Sequence, residues 1–148
     1  GLGGARDAWL RGRLDRPTPR IALGRALAGV ATSCIDVSDG LLADAGHLAR
    51  ASGVGLRIGV DALPASEALR AIARDADMLR AWQAGGGDDY ELCFTAPPAA
   101  RADVADAARA AGVAVTRIGG VHVGDGVEAS TADGARWTPP RHGYRHFA

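Results

Sequence analysis

The chain has 148 residues, 47% hydrophobic and 23% charged, with 17 basic against 17 acidic side chains and a formal net charge of zero. That composition supports a folded domain with one core and excludes wholesale disorder. With no net charge and no long run of one sign, it also excludes bulk attraction to nucleic acid or to an anionic membrane surface. Every basic residue is an arginine. A P-loop or a Schiff base, each of which needs a lysine, therefore cannot form within the chain.

Residues 1–15 read as an Arg-rich connecting segment, with a helix as the alternative over Arg6–Leu14. The run Arg16-Pro17-Thr18-Pro19-Arg20 breaks the pattern, and residues 16–148 read as one domain. From Ile21 the apolar residues Leu23, Ala26, Leu27 and Val30 recur at helical spacing. Ala31–Val37 is strand-like and runs into Asp36-Val37-Ser38-Asp39-Gly40. Leu41, Leu42, Ala45, Leu48 and Ala49 then form an apolar stripe that predicts a helix closed by Ser52-Gly53. Val54, Leu56, Ile58 and Val60 alternate as in a half-buried strand. Two helical pieces follow, over Ala65–Ile72 and around Met78–Trp82, before Gly85-Gly86-Gly87 interrupts. Tyr90, Leu92 and Phe94 alternate as a strand, and Pro97-Pro98 opens a helix that Gly112 ends. Val113–Ile118 is read as a strand, and Asp125-Gly126 and Asp133-Gly134 as hairpin turns. The expected fold is α+β, a largely antiparallel sheet flanked by helices. Cys34 and Cys93 read as buried reduced thiols. No apolar stretch is long enough for a bilayer and no signal-peptide pattern opens the chain, so cytoplasm is the expected compartment.

Three segments carry chemistry. In Asp36-Val37-Ser38-Asp39-Gly40 a strand feeds a helix, whose N-terminus offers unpaired N–H groups to a phosphate oxygen. Asp36 and Asp39 add hard oxygen ligands of the kind Mg²⁺ accepts when it also holds phosphate, and Ser38 adds a hydroxyl. The alternative is that Ser38 or Asp39 merely caps the helix. In Gly85-Gly86-Gly87-Asp88-Asp89-Tyr90-Glu91 the glycines permit close backbone approach, and the acids could meet a cationic ring or a metal. A flexible turn with solvated charges is the competing reading. The tail from Trp137 through Arg141, His142, Tyr144 and Phe147 offers aromatic faces, or simply pins the C-terminus. His47 reads as structural rather than as a ligand.

Ile35-Asp36-Val37-Ser38-Asp39-Gly40-Leu41, Gly86-Gly87-Asp88-Asp89-Tyr90-Glu91-Leu92-Cys93-Phe94 and Gly143-Tyr144-Arg145-His146-Phe147 together resemble the thiamine-monophosphate kinase family in order and spacing. The resemblance implies an aminoimidazole-ribonucleotide-synthetase-like C-terminal domain in an enzyme that phosphorylates thiamine phosphate to thiamine diphosphate with ATP and Mg²⁺. It places metal at Asp36 and Asp39, nucleotide phosphate at Ser38, and thiamine phosphate at Asp88 and Tyr144. Asp88 stands where the family commonly has glutamate, which shortens the reach by one methylene. The resemblance further implies an N-terminal ATP-binding domain outside this sequence, a homodimer for the full-length enzyme, and an inactive isolated fragment. Another ATP-dependent synthetase or maturation factor of the same superfamily, or a non-catalytic phospho-ligand domain, is the rival reading.

Overall fold

The computed structural model describes residues 2–140, so Tyr144 and the other tail residues from 141 onward lie outside the described residues. The first segment takes the helical alternative as α1 (Leu2–Asp15). Next, α2 (Ile21–Ala26) stops short of the expected Val30, because the chain turns after it and reaches φ 80° at Gly29. β1 (Ser33–Asp36) leads to α3 (Leu41–Ser52), which ends on Gly53 in the left-handed region at φ 63°. β2 (Gly55–Gly59) runs into a 3₁₀ turn at Val60–Ala62.

Both following helices are capped by their own preceding side chains. Ser66 Oγ accepts the Leu69 N–H (3.1 Å) at α4 (Glu67–Ile72), and Asp75 Oδ1 accepts the Met78 N–H (2.7 Å) at α5 (Ala76–Gly85). Then come β3 (Leu92–Thr95), α6 (Arg101–Ala111), β4 (Gly119–His122) and β5 (Val127–Ser130). Tyr90, expected inside the third strand, precedes it at φ 51°.

The strands form two sheets rather than one. β1 and β3 pair antiparallel, with Ile35 opposite Cys93 and Cys34 opposite Phe94. The second sheet has the order β4-β2-β5, with β2 antiparallel to β4 and parallel to β5. The α+β class stands, and two of the three strand pairings are antiparallel. Val113–Ile118 is not a strand. Val113 and Val115 pack toward Leu23, Leu27 and Ala107, and the ladder starts only at Gly119. Their alternation reflects burial without a pairing partner. Asp125-Gly126 is likewise no hairpin turn, because β4 and β5 lie on opposite sides of β2. The link passes over the end of β2, where the Leu56 N–H donates to Gly126 O (2.9 Å). Asp133-Gly134 does turn the chain back, through the Gly134 N–H to Thr131 O (2.9 Å) and a bridge between Ser130 and Arg136.

Two apolar clusters flank the small sheet. Ile35 and Cys93 face the larger one, built from α3 (Leu41, Ala45, Leu48) and β2 (Leu56, Ile58). Leu92 and Phe94 face the smaller one, of Leu23, Leu27 and Ala107 from the α2 and α6 region. A two-stranded sheet alone is marginal in water; apolar cover on both faces makes this one stable. Cys34, expected to be buried, is exposed.

Burial pushes the Cys93 thiol up from 9.0 to about 11, with smaller contributions from Cys34 and Asp44. The folded thiol keeps its proton to higher pH than an unfolded one. This group's contribution is therefore intact below the ordinary thiol range and is lost as pH rises through the folded value. We expect the urea midpoint to fall between about pH 9 and pH 11, and Cys93→Ala to flatten that part of the profile. An identical alkaline slope in the variant would place the effect elsewhere.

Candidate functional site

The antiparallel pairing of β1 with β3 continues beyond both strands. The Val37 N–H donates to Glu91 O (2.8 Å), the Tyr90 N–H to Val37 O (2.9 Å) and the Asp88 N–H to Ser38 O (2.9 Å). The two acidic segments, some 50 residues apart in sequence, are thus one surface. Glycines allow the approach. A Cβ on Gly40 would lie 2.8 Å from Gly85 O, and one on Gly87 would collide with Ser38 O. Gly40 also sits at φ 110°, a conformation for which only glycine is suited. The price of the tight turn falls on Asp88 and Tyr90, both non-glycine residues at positive φ (62° and 51°).

Asp36 ends β1 and is exposed, while Ser38 and Asp39 are half-buried in the turn before α3. Neither Ser38 nor Asp39 caps the helix. Gly40 holds the N-cap position, with no side-chain cap. Instead, Asp44, one turn into α3 and only 3% exposed, reaches back with Oδ2 to accept the N–H groups of Ser38 (2.9 Å) and Asp39 (3.0 Å). Those two amides, which precede the helix, are therefore engaged within the chain and are not open to a phosphate.

The sequence reading passed over Asp44. Its signal was an acid set among Leu41, Ala45 and Leu48 on the apolar face of a helix, where a carboxylate needs a specific partner. Asp39, Asp44 and His47 each bring one ligand-type atom to within 4.8 Å of the other two. Two carboxylates and an imidazole at that spacing suit a divalent cation. His47 is exposed, and its Nδ1 lies 2.9 Å from Arg50 Nη2.

On the opposite loop, Asp88 and Asp89 are exposed. Although the residue as a whole is exposed, partial desolvation of the Asp89 carboxyl raises its pKa, and Glu91 adds to the shift. Glu91 has a different task from its neighbours. It accepts a two-pronged contact from Arg20 (Nε 2.8 Å, Nη2 2.6 Å) and a third bond from Arg13 Nη2 (2.9 Å). This fork ties α1 and the Pro-rich segment to the acidic loop. The hydrogen bond to Glu91 in turn raises the Arg20 pKa. These two arginines were read from sequence only as part of a basic segment.

The family model of the AIR synthase related protein C-terminal domain matches residues 3–131. The chain belongs to that family. Thiamine-monophosphate kinase of Salmonella typhimurium is 45% identical over 133 residues, covering 90% of this chain and 41% of that protein. The crystal structure of thiamine-monophosphate kinase from Stenotrophomonas maltophilia superposes with a TM-score of 0.81 at 45% identity, over 88% of this chain and 40% of the other. AaThiL complexed with AMPPCP and TMP superposes with a TM-score of 0.77 at 32% identity, over 96% of this chain and 42% of the other. The chain thus spans about two fifths of the length of these relatives.

Alanine substitutions at two glycines six residues apart, Gly40 before α3 and Gly46 within it, make a matched test of the loop geometry. Gly40→Ala places a Cβ against Gly85 O in a glycine-only conformation and should cost about 1–3 kcal/mol. Gly46→Ala, within α3 and with only ordinary contact to Arg50, should stabilise by roughly 0.4–1 kcal/mol. Urea unfolding of both variants checks the pair; equal effects would mean that the two loops do not meet as described.

Proposed function

We propose that this chain is the substrate and metal side of a kinase that transfers the γ-phosphoryl group of ATP to thiamine phosphate, giving thiamine diphosphate. The observation that carries the reading is the single surface made by Asp36, Ser38 and Asp39 with Asp88, joined by backbone hydrogen bonds. Relatives named thiamine-monophosphate kinase, and a neighbour bound to AMPPCP and TMP, supply the substrate class.

The chemistry requires two polyanions to meet, so charge neutralisation and alignment matter more than covalent catalysis. Asp36 and Asp39 are the proposed holders of Mg²⁺, with Asp44 directly behind Asp39. The donor set near Asp39 is compatible with such an ion. Bound there, the ion would offset negative charge on the phosphates. The Ser38 hydroxyl would donate to a phosphate oxygen, while its amide stays engaged by Asp44. Asp88 would meet the cationic end of thiamine, with Tyr144 as its proposed aromatic partner. No general base is needed, because the accepting phosphate is itself an anionic nucleophile.

The remaining three fifths of the relatives' length is the proposed place of the nucleotide side, in an N-terminal domain, with a homodimer as the full-length form. Among the described residues no helix is long and apolar enough to cross a membrane, which is consistent with a cytoplasmic enzyme.

In a chain completed to its relatives' length, ATP, Mg²⁺ and thiamine phosphate should yield thiamine diphosphate, detected by chromatography. The 148-residue chain alone should show no steady turnover. Asp39→Asn in the completed chain should lower kcat/KM by more than about tenfold while changing stability by less than about 1 kcal/mol. Absence of product from the completed wild-type chain sinks the reading, and full activity of Asp39→Asn removes Asp39 from it.

A further inference from the structure

Asp44 is the single charged side chain buried among the described residues. Burying a carboxylate costs several kcal/mol unless its hydrogen bonds are well made, and an apolar residue would suit the same face of α3. The Ser38 and Asp39 amides both donate to it, and both bonds are accepted by one oxygen, Oδ2. On its other side the same turn is held by Asp88, whose N–H donates to Ser38 O (2.9 Å). The Ser38 peptide is therefore gripped from both directions. Asp39 lies between that peptide and Gly40, where a Cβ would come within 2.8 Å of Gly85 O. The first turn of α3 is also where a negative charge is favoured by the helix dipole, so the acid is stable there.

We propose that Asp44 is a positioning residue. By accepting the Ser38 and Asp39 amides it sets the direction of the Asp39 carboxylate, and so determines the site's affinity for a divalent cation. This rests on the kinase reading only for the identity of the cation's partner; the hydrogen bonds themselves are independent of it. The role differs from that of a ligand. Asp44 acts through the backbone of its neighbours, as an outer-layer group does in metal sites generally.

The test uses the chain completed to its relatives' length, with Mn²⁺ as the probe and its binding followed by electron paramagnetic resonance without nucleotide or turnover. Asp44→Leu fills the buried volume but offers no acceptor, and Asp44→Asn keeps an oxygen that can accept both amides. Asp44→Leu leaves two half-buried amides without their acceptor, so its melting temperature should fall, and it should bind Mn²⁺ about tenfold to a hundredfold more weakly. Asp44→Asn should recover most of that loss. In turnover assays the Mg²⁺ requirement should rise while KM for thiamine phosphate stays in place. In the wild type, hydrogen exchange should show the Ser38 and Asp39 amides protected. Unprotected wild-type amides overturn the proposal whatever the variants do, which covers the case in which Asp44→Leu does not fold. So does Asp44→Leu binding Mn²⁺ as tightly as wild type. A wild-type protein that binds Mn²⁺ in the Asp44-dependent way but makes no thiamine diphosphate would defeat the kinase reading alone.

Discussion

The pairing of β1 with β3, prolonged through Val37, Ser38, Asp88 and Tyr90, is the constraint on which the rest of the site depends. Each hydrogen bond in such a ladder contributes only about 1 kcal/mol net, so the bonds alone would not hold two acidic loops together. Apolar packing on both faces of the short sheet supplies the remainder. Ile35 and Cys93 are covered on one side, and Leu92 and Phe94 on the other. The site is thus rigid for a reason remote from its chemistry. Its polar groups sit at the exposed end of a strand pair whose apolar residues pack toward two cores.

Electrostatically the surface is unusual for one proposed to meet phosphate. Asp36, Asp39, Asp88 and Asp89 all lie along it, and Glu91 is already paired with Arg13 and Arg20. Free phosphate would be repelled by this array, whereas a cation–phosphate pair or a cationic ring would not. The amides of Ser38 and Asp39, just ahead of the helix, are occupied by Asp44.

The elements with strong local signals could be read from the sequence. The apolar stripe of α3, the alternation of Leu56, Ile58 and Val60, and the glycines at 53 and 112 all reflect burial or backbone geometry that neighbouring residues specify. The failures have a shared cause. Val113 and Val115 alternate for a core, not for a partner strand, and periodicity cannot tell those apart. Asp125-Gly126 has turn chemistry, but which strands it joins in space depends on β2 lying between them. Asp36, Ser38, Asp39 and Asp88 stood out as residue types and were indeed brought to one surface. Asp44 and the Glu91 fork were missed because each takes its meaning from partners. One set lies a helical turn away, the other more than 70 positions away.

The β4-β2-β5 order also bears on how the chain is made. β2 is the central strand, yet both of its neighbours follow it late in the sequence; Arg57 and Glu128, side by side in the sheet, are 71 positions apart. During synthesis α3 and β2 emerge long before either edge can be supplied, and closing so distant a contact is slow relative to forming the helices. A ribosome-bound chain that has passed β3 can complete the small sheet, while the apolar residues of β2 still wait for the last strand. Among the described strands, β2 is the one whose pairing is deferred on both sides.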